Sequence, residues 1–204
     1  GLGDVYKRQY GRFDVALTKG QGSTLYDENG KKYIDFGSGI GVTAFGINDP
    51  VWTKAVEEQL HRVQHTSNLY YTAPCAKLAQ LLCEKSGMKK VFFGNSGAEA
   101  NECAIKLARL WAKKESSGGH IILVLEGSFH GRTLATLAAT AQPDKQEPFQ
   151  PLPEGFIAIP PNDINALRNI WWEYPGQIAA IMMEPIQGEG GVIPIDPDYL
   201  FEAT

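Results

Sequence analysis

Four apolar runs limit what this chain can fold into: Val91 to Phe93, Ile121 to Leu125, Phe156 to Ile159 and Ile178 to Met183. A strand with one wet face alternates apolar and polar residues, whereas an uninterrupted apolar strand has both faces covered. Between the runs lie helical patterns, "GAEANECAIKLARLWAKKE", "RTLATLAAT" and "DINALRNIWW". Strands joined by helices predict an α/β fold: a parallel sheet with helices on both faces. The first strand is expected in "KKVFFGN", and the helix after it is expected to run to about Glu115. Ala100, Cys103, Ala104, Leu107, Leu110 and Trp111 form that helix's expected inward face, with Lys113 and Lys114 suiting its C-terminal dipole.

Ahead of the alternating part the pattern differs. In "TLYDENGKKYIDFGSGIGV", Asn29-Gly30 separates two alternating runs and predicts a hairpin, within a β-meander over residues 24–45. Asp49-Pro50 predicts a helix to about Val63, with a cap followed by proline at the first position. Thr72 to Gly87 reads as a second helix, with Leu78, Leu81 and Leu82 inward and Gly87 as its stop. The opening "GLGDVYKRQ" shares no periodicity with the segments after it, and residues 1–23 are expected to be an arm. At the other end Asp196-Pro197 opens a helix with Tyr199, Leu200 and Phe201 as its first apolar positions. The pattern stops two turns later, and the expectation is a truncated product.

Composition removes several function classes. A formal net charge of -4 without a Lys/Arg block argues against a nucleic-acid surface. No apolar stretch is long enough to span a bilayer, and the N-terminus lacks the features of a secretory signal. Cys75, Cys83 and Cys103 share no metal-ligand spacing and read as buried thiols in a reducing compartment, the cytosol.

The chemistry is expected where strands end. Ser96 and Glu99 have capping-box spacing, and a well-capped helix accounts for both. Ser96-Gly97-Ala98 also places small residues at the carboxyl end of an expected parallel strand, where backbone N–H groups can approach a phosphate. After "HIILVLEGS" comes "FHGRT", with Phe129, His130 and Arg132; after "IAAIMMEP" comes a Gly-rich turn flanked by Glu184 and Glu189. Singly, each reads as a core-edge ring, a surface cation or a solvated acid. Together, three successive strand ends describe a lined crevice.

The stretches "FFGNSGAEANECAIKLAR", "EGSFHGRTLATLAAT" and "MMEPIQGEGGVIP" resemble the successive motifs of the class III aminotransferases, which use pyridoxal phosphate. The similarity runs from about Thr24 to the end. Within the family, "SGIGV", "HTSNLYY" and "NSGAEANE" are most similar to the branch acting on N-acetylornithine in arginine biosynthesis. The resemblance implies an aspartate-aminotransferase-type large domain over residues 67–204, preceded by part of a small domain over residues 24–66. It implies that Gly97 and Ala98 hold the cofactor phosphate with Ser96 capping alongside. Phe129 would stack on the pyridine ring, with His130 and Glu184 among the cofactor's surroundings. Arg132 would meet the substrate carboxylate, and Glu189 resembles a gate that pairs with a distant Arg. The implied partners are an amino donor, 2-oxoglutarate and, in the homodimer, a second copy.

None of the lysines present has the context of the family's cofactor-linking lysine. The nucleophile is expected beyond Thr204, so this polypeptide alone is expected to be inactive. Other class III ω-aminotransferases, acting on ornithine, 4-aminobutyrate or succinyl-ornithine, fit the same motifs. A non-catalytic phosphate-binding α/β module is the alternative of a different class.

Overall fold

The computed structural model describes residues 11–115 and 118–203. Two compact units divide between Glu84 and Lys85.

The first unit holds an antiparallel sheet in the order β1 (Leu17–Gln21), β2 (Thr24–Asp27), β3 (Lys32–Ile34). The Asn29-Gly30 hairpin forms as its sequence dictates. Asp27 Oδ1 accepts the N–H groups of Asn29 and Lys31, both at 2.9 Å, and Gly30 takes a φ of 78°. The third strand precedes the hairpin, inside the expected arm, rather than coming after it. Ser38, Gly39, Ile40 and Gly41 all have positive φ, a conformation that cannot continue a ladder, so the end of the expected meander is a series of turns.

Helix α1 (Pro50–Leu60) begins as expected, with Asp49 accepting the Trp52 N–H at 2.8 Å. Helix α2 (Ala73–Ser86) is followed by Gly87 at a φ of 73°. Neither helix buries a residue. Leu78, Leu81 and Leu82, expected inward, are 47%, 50% and 40% exposed. An apolar stripe says which side of a helix seeks cover, not whether the described residues supply it.

The second unit is the expected parallel sheet, in the order β5 (Phe156–Ile159), β4 (Ile121–Leu125), β6 (Ile178–Met182). All five residues of central β4 are buried. Ile122 and Val124 cluster with Ile105 and Ala139, from α3 (Gly97–Glu115) and α4 (Leu134–Ala139). Ile121, Leu123 and Leu125 cluster with Leu167 of α6 (Ile164–Glu173) and Tyr199 of α7 (Pro197–Ala203). The period-two alternation of one continuous apolar strand thus feeds two cores, one on each face. The short α5 (Pro143–Gln146) follows α4, and β7 (Ile186–Gln187) pairs antiparallel with β8 (Ile193–Pro194).

Two expectations fail in this unit, and a third, about the cysteines, fails across both. Residues 89–95 form no strand: Phe92 and Phe93 are 59% and 40% exposed, and no described strand pairs with them. Helix α3 buries Ile105 and Ala112 instead of Leu107, Leu110 and Trp111, which are exposed. Its Ile105-Ala108-Ala112 stripe is narrower but has small residues, which let a helix sit close to a sheet. The cysteines are not buried; Cys75 is exposed, and Cys83 and Cys103 are half-buried. Among the described residues, no helix is long and apolar enough to cross a membrane.

Candidate functional site

The first turn of α3 opens the site. Ser96 Oγ accepts the Glu99 N–H at 3.2 Å, half of the expected capping box. The other half is displaced by one residue: the Glu99 carboxylate reaches back to the N–H of Asn95. The Gly97 and Ala98 N–H groups have no acceptor among the described residues. A Cβ built at Gly97 would meet nothing within 4 Å. Two free donors at the positive end of a 19-residue helix, with open space before them, suit an anion.

The loop after β4 is pinned to this turn. Gly131 has a φ of 141°, and a Cβ there would lie 2.5 Å from Thr136 Oγ1 and 3.0 Å from Ala98 Cβ. Only glycine allows the loop so close to α3 and α4. The Asn101 amide donates to the His130 carbonyl at 2.8 Å, and the His130 N–H donates to Thr140 Oγ1 at 2.9 Å. Buried Ser128 donates to the Ala139 carbonyl at 3.3 Å. These contacts fix Phe129 and Arg132 without using their side chains.

His130 is 5% exposed, and its Nε2 has no partner. Burial holds its pKa below 6.5, opposed by the nearby Glu184 carboxylate and a hydrogen bond to the Met182 backbone. A neutral imidazole with an unused ring nitrogen therefore lies directly beside Phe129.

The strand end of β6 supplies the acids. Glu184 Oε2 accepts the Phe129 N–H at 2.9 Å, tying the second motif to the third. Glu189, on the β7–β8 turn, accepts from Gln142 Nε2 at 2.6 Å and forms an ion pair with Lys145. The hydrogen bonds from Lys145 and Gln142 hold its carboxyl below the ordinary 4.5, with a further contribution from the Arg132 charge. The Arg132 guanidinium stands 5.5 Å from the Phe129 ring centre, and the Lys145 ammonium 5.7 Å from it.

Ala98, Phe129, His130, Arg132 and Glu184 therefore form one continuous assembly, with Glu189 at its edge. Gln142, Lys145, Thr136 and Thr140 complete it, and the sequence reading did not single them out. Thr136 within a short apolar helix, and Thr140 four residues on at its C-terminal cap, were the available signal. A cavity of about 830 Å³ opens beside Gln142 and Lys145, lined also by Val124, Ala141 and Phe156. It touches none of Ser96, Phe129 or Arg132, and it meets the assembly only at Gln142 and Lys145.

The donor set fits pyridoxal phosphate: two acceptor-free backbone donors, an aromatic face and an orphaned buried imidazole nitrogen.

Comparison with known proteins points the same way. The profile of the family "Aminotransferase class-III" matches residues 5–204. An acetylornithine aminotransferase of Haemophilus ducreyi is 50% identical over 192 residues, 94% of this chain and 48% of that protein. One from Methanocaldococcus jannaschii is 51% identical over 193 residues, again 94% of this chain and 48% of that protein. The chain thus spans about half the length of these curated relatives. Among solved structures, the ornithine aminotransferase of Toxoplasma gondii superposes with a TM-score of 0.85 at 30% identity, covering 98% of this chain and 48% of that one. The N-acetylornithine aminotransferase of Stenotrophomonas maltophilia gives 0.77 at 37% identity, covering 97% and 48%.

Proposed function

The chain belongs to the class-III aminotransferase family, and from that premise we propose that it carries the phosphate-holding and carboxylate-binding part of a transaminase. The reaction proposed is transfer of the terminal amino group of N-acetylornithine to 2-oxoglutarate, in a cytosolic homodimer. Residues 24–66 would belong to the small domain and 67–204 to the cofactor-binding domain. When bound, pyridoxal phosphate supplies the electron sink that lets the C–H bond beside the amine nitrogen ionise.

The residues of this chain bind and orient. Gly97 and Ala98 offer backbone N–H groups to the phosphate, and Ser96 keeps the helix end in shape. Phe129 gives the pyridine ring a flat apolar wall, with Glu184 fixing the backbone that carries it. His130 offers Nε2 to the same group. Arg132, a planar donor fork beside that ring, takes the substrate carboxylate. Glu189 governs which substrate enters.

One observation carries this reading: Gly131 packs against Ala98 while Glu184 bonds the Phe129 backbone, so the three motifs share one surface. The N-acetylornithine branch is favoured over the ornithine branch by identity to the solved structures, 37% against 30%.

The test is single-turnover kinetics of each half-reaction in an enzyme carrying this segment. Removing one partner of a desolvated charge pair costs about 2–5 kcal/mol. Arg132→Ala should therefore slow both half-reactions more than tenfold, while Glu189→Ala should change their ratio. Half-reactions untouched by Arg132→Ala would remove the carboxylate assignment.

A further inference from the structure

Arg132 stands exposed on the loop after β4, yet consecutive residues of α3 grip that loop on both sides of it. The Asn101 amide donates to the His130 carbonyl at 2.8 Å, and the Glu102 carboxylate accepts the Thr133 hydroxyl. Between the two grips lie only Gly131 and Arg132. We propose that Asn101 and Glu102 are positioning residues for Arg132, and that through them α3 sets the carboxylate-binding guanidinium at a fixed place relative to the phosphate donors on its own first turn.

The spacing of the three contact residues on α3 is what such a device needs. Ala98, Asn101 and Glu102 stand at i, i+3 and i+4, on one face of the helix. Ala98 takes the close approach of Gly131, where a Cβ would lie 3.0 Å from Ala98 Cβ. The helix thus meets the loop at His130, Gly131 and Thr133, and the Ala98 that touches Gly131 also offers its N–H at the helix start.

The grip on the far side of Arg132 is anchored in the core. An ionised carboxylate only accepts, so the Thr133 hydroxyl donates to Glu102. Thr133 Oγ1 lies 2.6 Å from Thr136 Oγ1, from which it then accepts, and the Thr133 N–H donates back to Thr136 Oγ1 at 3.1 Å. Thr136 is fully buried. Both hydroxyls therefore have a fixed direction that ends on Glu102.

Phe129 is held by other elements. Its N–H is taken by Glu184 after β6, and the next N–H, of His130, by Thr140 at the end of α4, both at 2.9 Å. The ring wall and the carboxylate cation, three residues apart, are thus set independently. Loosening the Glu102 grip moves Arg132 and leaves Phe129 in place. The inference rests on the function proposed in taking Arg132 as the carboxylate cation and the Gly97 and Ala98 N–H groups as the phosphate seat.

The test is NMR of the isotope-labelled chain. The Arg132 backbone amide reports order and the Arg132 Nε–Hε signal reports titration with 2-oxoglutarate, with absorbance titration of pyridoxal phosphate alongside. Asn101→Asp keeps the side-chain shape but cannot donate, Glu102→Ala removes the acceptor, and Glu102→Gln keeps an acceptor oxygen; circular dichroism checks that each folds. Asn101→Asp and Glu102→Ala should each loosen the Arg132 amide and weaken 2-oxoglutarate binding about threefold to tenfold, the range of one hydrogen bond. Glu102→Gln should restore wild-type binding. Glu102→Ala should change pyridoxal phosphate affinity by less than about twofold, because Phe129 has its own anchors. Equal losses for both ligands, or Glu102→Gln as weak as Glu102→Ala, would reduce the two residues to general structural supports and overturn the proposal. A wild-type Arg132 signal that answers 2-oxoglutarate and is unaffected by the variants sinks only the positioning role. A wild-type Arg132 signal that ignores 2-oxoglutarate sinks the carboxylate assignment of the proposed function, and this inference with it.

Discussion

Replacing Gly131 with alanine tests whether the site is assembled by close packing. The new Cβ would lie 2.5 Å from Thr136 Oγ1, 2.9 Å from Thr136 Cβ and 3.0 Å from Ala98 Cβ. Thr136 is fully buried and bonded to Thr133, so it cannot step aside. Overpacking of this kind costs about 1–3 kcal/mol. The φ of 141° adds backbone strain of about 1–3 kcal/mol for any residue with a Cβ. Together these are about 2–6 kcal/mol, and at roughly 2–4 °C per kcal/mol for a chain of this size Gly131→Ala should lower Tm by roughly 4–24 °C. Gly97→Ala is the matched control, because its Cβ enters open space and its backbone is not left-handed. It should change stability by no more than about 0.5 kcal/mol, yet weaken pyridoxal phosphate binding, since only the ligand meets the new methyl group. Thermal unfolding by circular dichroism, with cofactor titration alongside, measures both. Gly131→Ala melting with the wild type, or Gly97→Ala losing as much stability as Gly131→Ala, would refute the packing argument.

Two further predictions concern the loop that carries Phe129. His130 has its pKa lowered by burial, so the unfolded chain takes up its proton first as pH falls below 6.5. The stability linked to His130 is therefore complete above pH 6.5 and lost as pH falls toward the folded-state value; an NMR titration placing its midpoint at or above 6.5 would contradict this. Thr140→Val keeps the side-chain shape but leaves the buried His130 N–H without its 2.9 Å acceptor, and should cost about 1–3 kcal/mol in urea unfolding; an unchanged midpoint would show that water replaces the hydroxyl.

The parallel sheet and its helices were legible because β4 is continuously apolar, and a five-residue apolar run has few other uses. Helix starts were legible from local chemistry alone, as Asp49-Pro50 and Asp163 show: each aspartate caps the helix next to it in the chain. The inward face of α3 was not, because the helix carries apolar residues on two stripes and the choice belongs to the sheet beneath. Residues 89–95 have a strand's composition, but a strand also needs a partner ladder, which composition does not specify. At the site, the motif residues stood out because Phe, Arg and Glu at strand ends are chemically conspicuous. Lys145 and Gln142 did not, because they lie in and beside the four-residue α5, with no motif around them. Only the fold brings them to Glu189, 44 and 47 residues further on.

The central claim is that Gly97, Ala98 and Phe129 together hold a phosphate-bearing aromatic cofactor. Titrating this chain with pyridoxal phosphate and with pyridoxal, which lacks the phosphate, tests it directly by absorbance and calorimetry. The account predicts saturable one-to-one binding of pyridoxal phosphate. Pyridoxal should bind at least about tenfold more weakly, because an ionised acceptor on helix N–H donors is among the stronger hydrogen-bonding arrangements. Phe129→Ala should weaken both ligands. Equal affinity for the two compounds, or non-saturable uptake unaffected by Phe129→Ala, would mean that surface lysines capture the aldehyde and that the surface around Gly97, Ala98 and Phe129 is not the cofactor site.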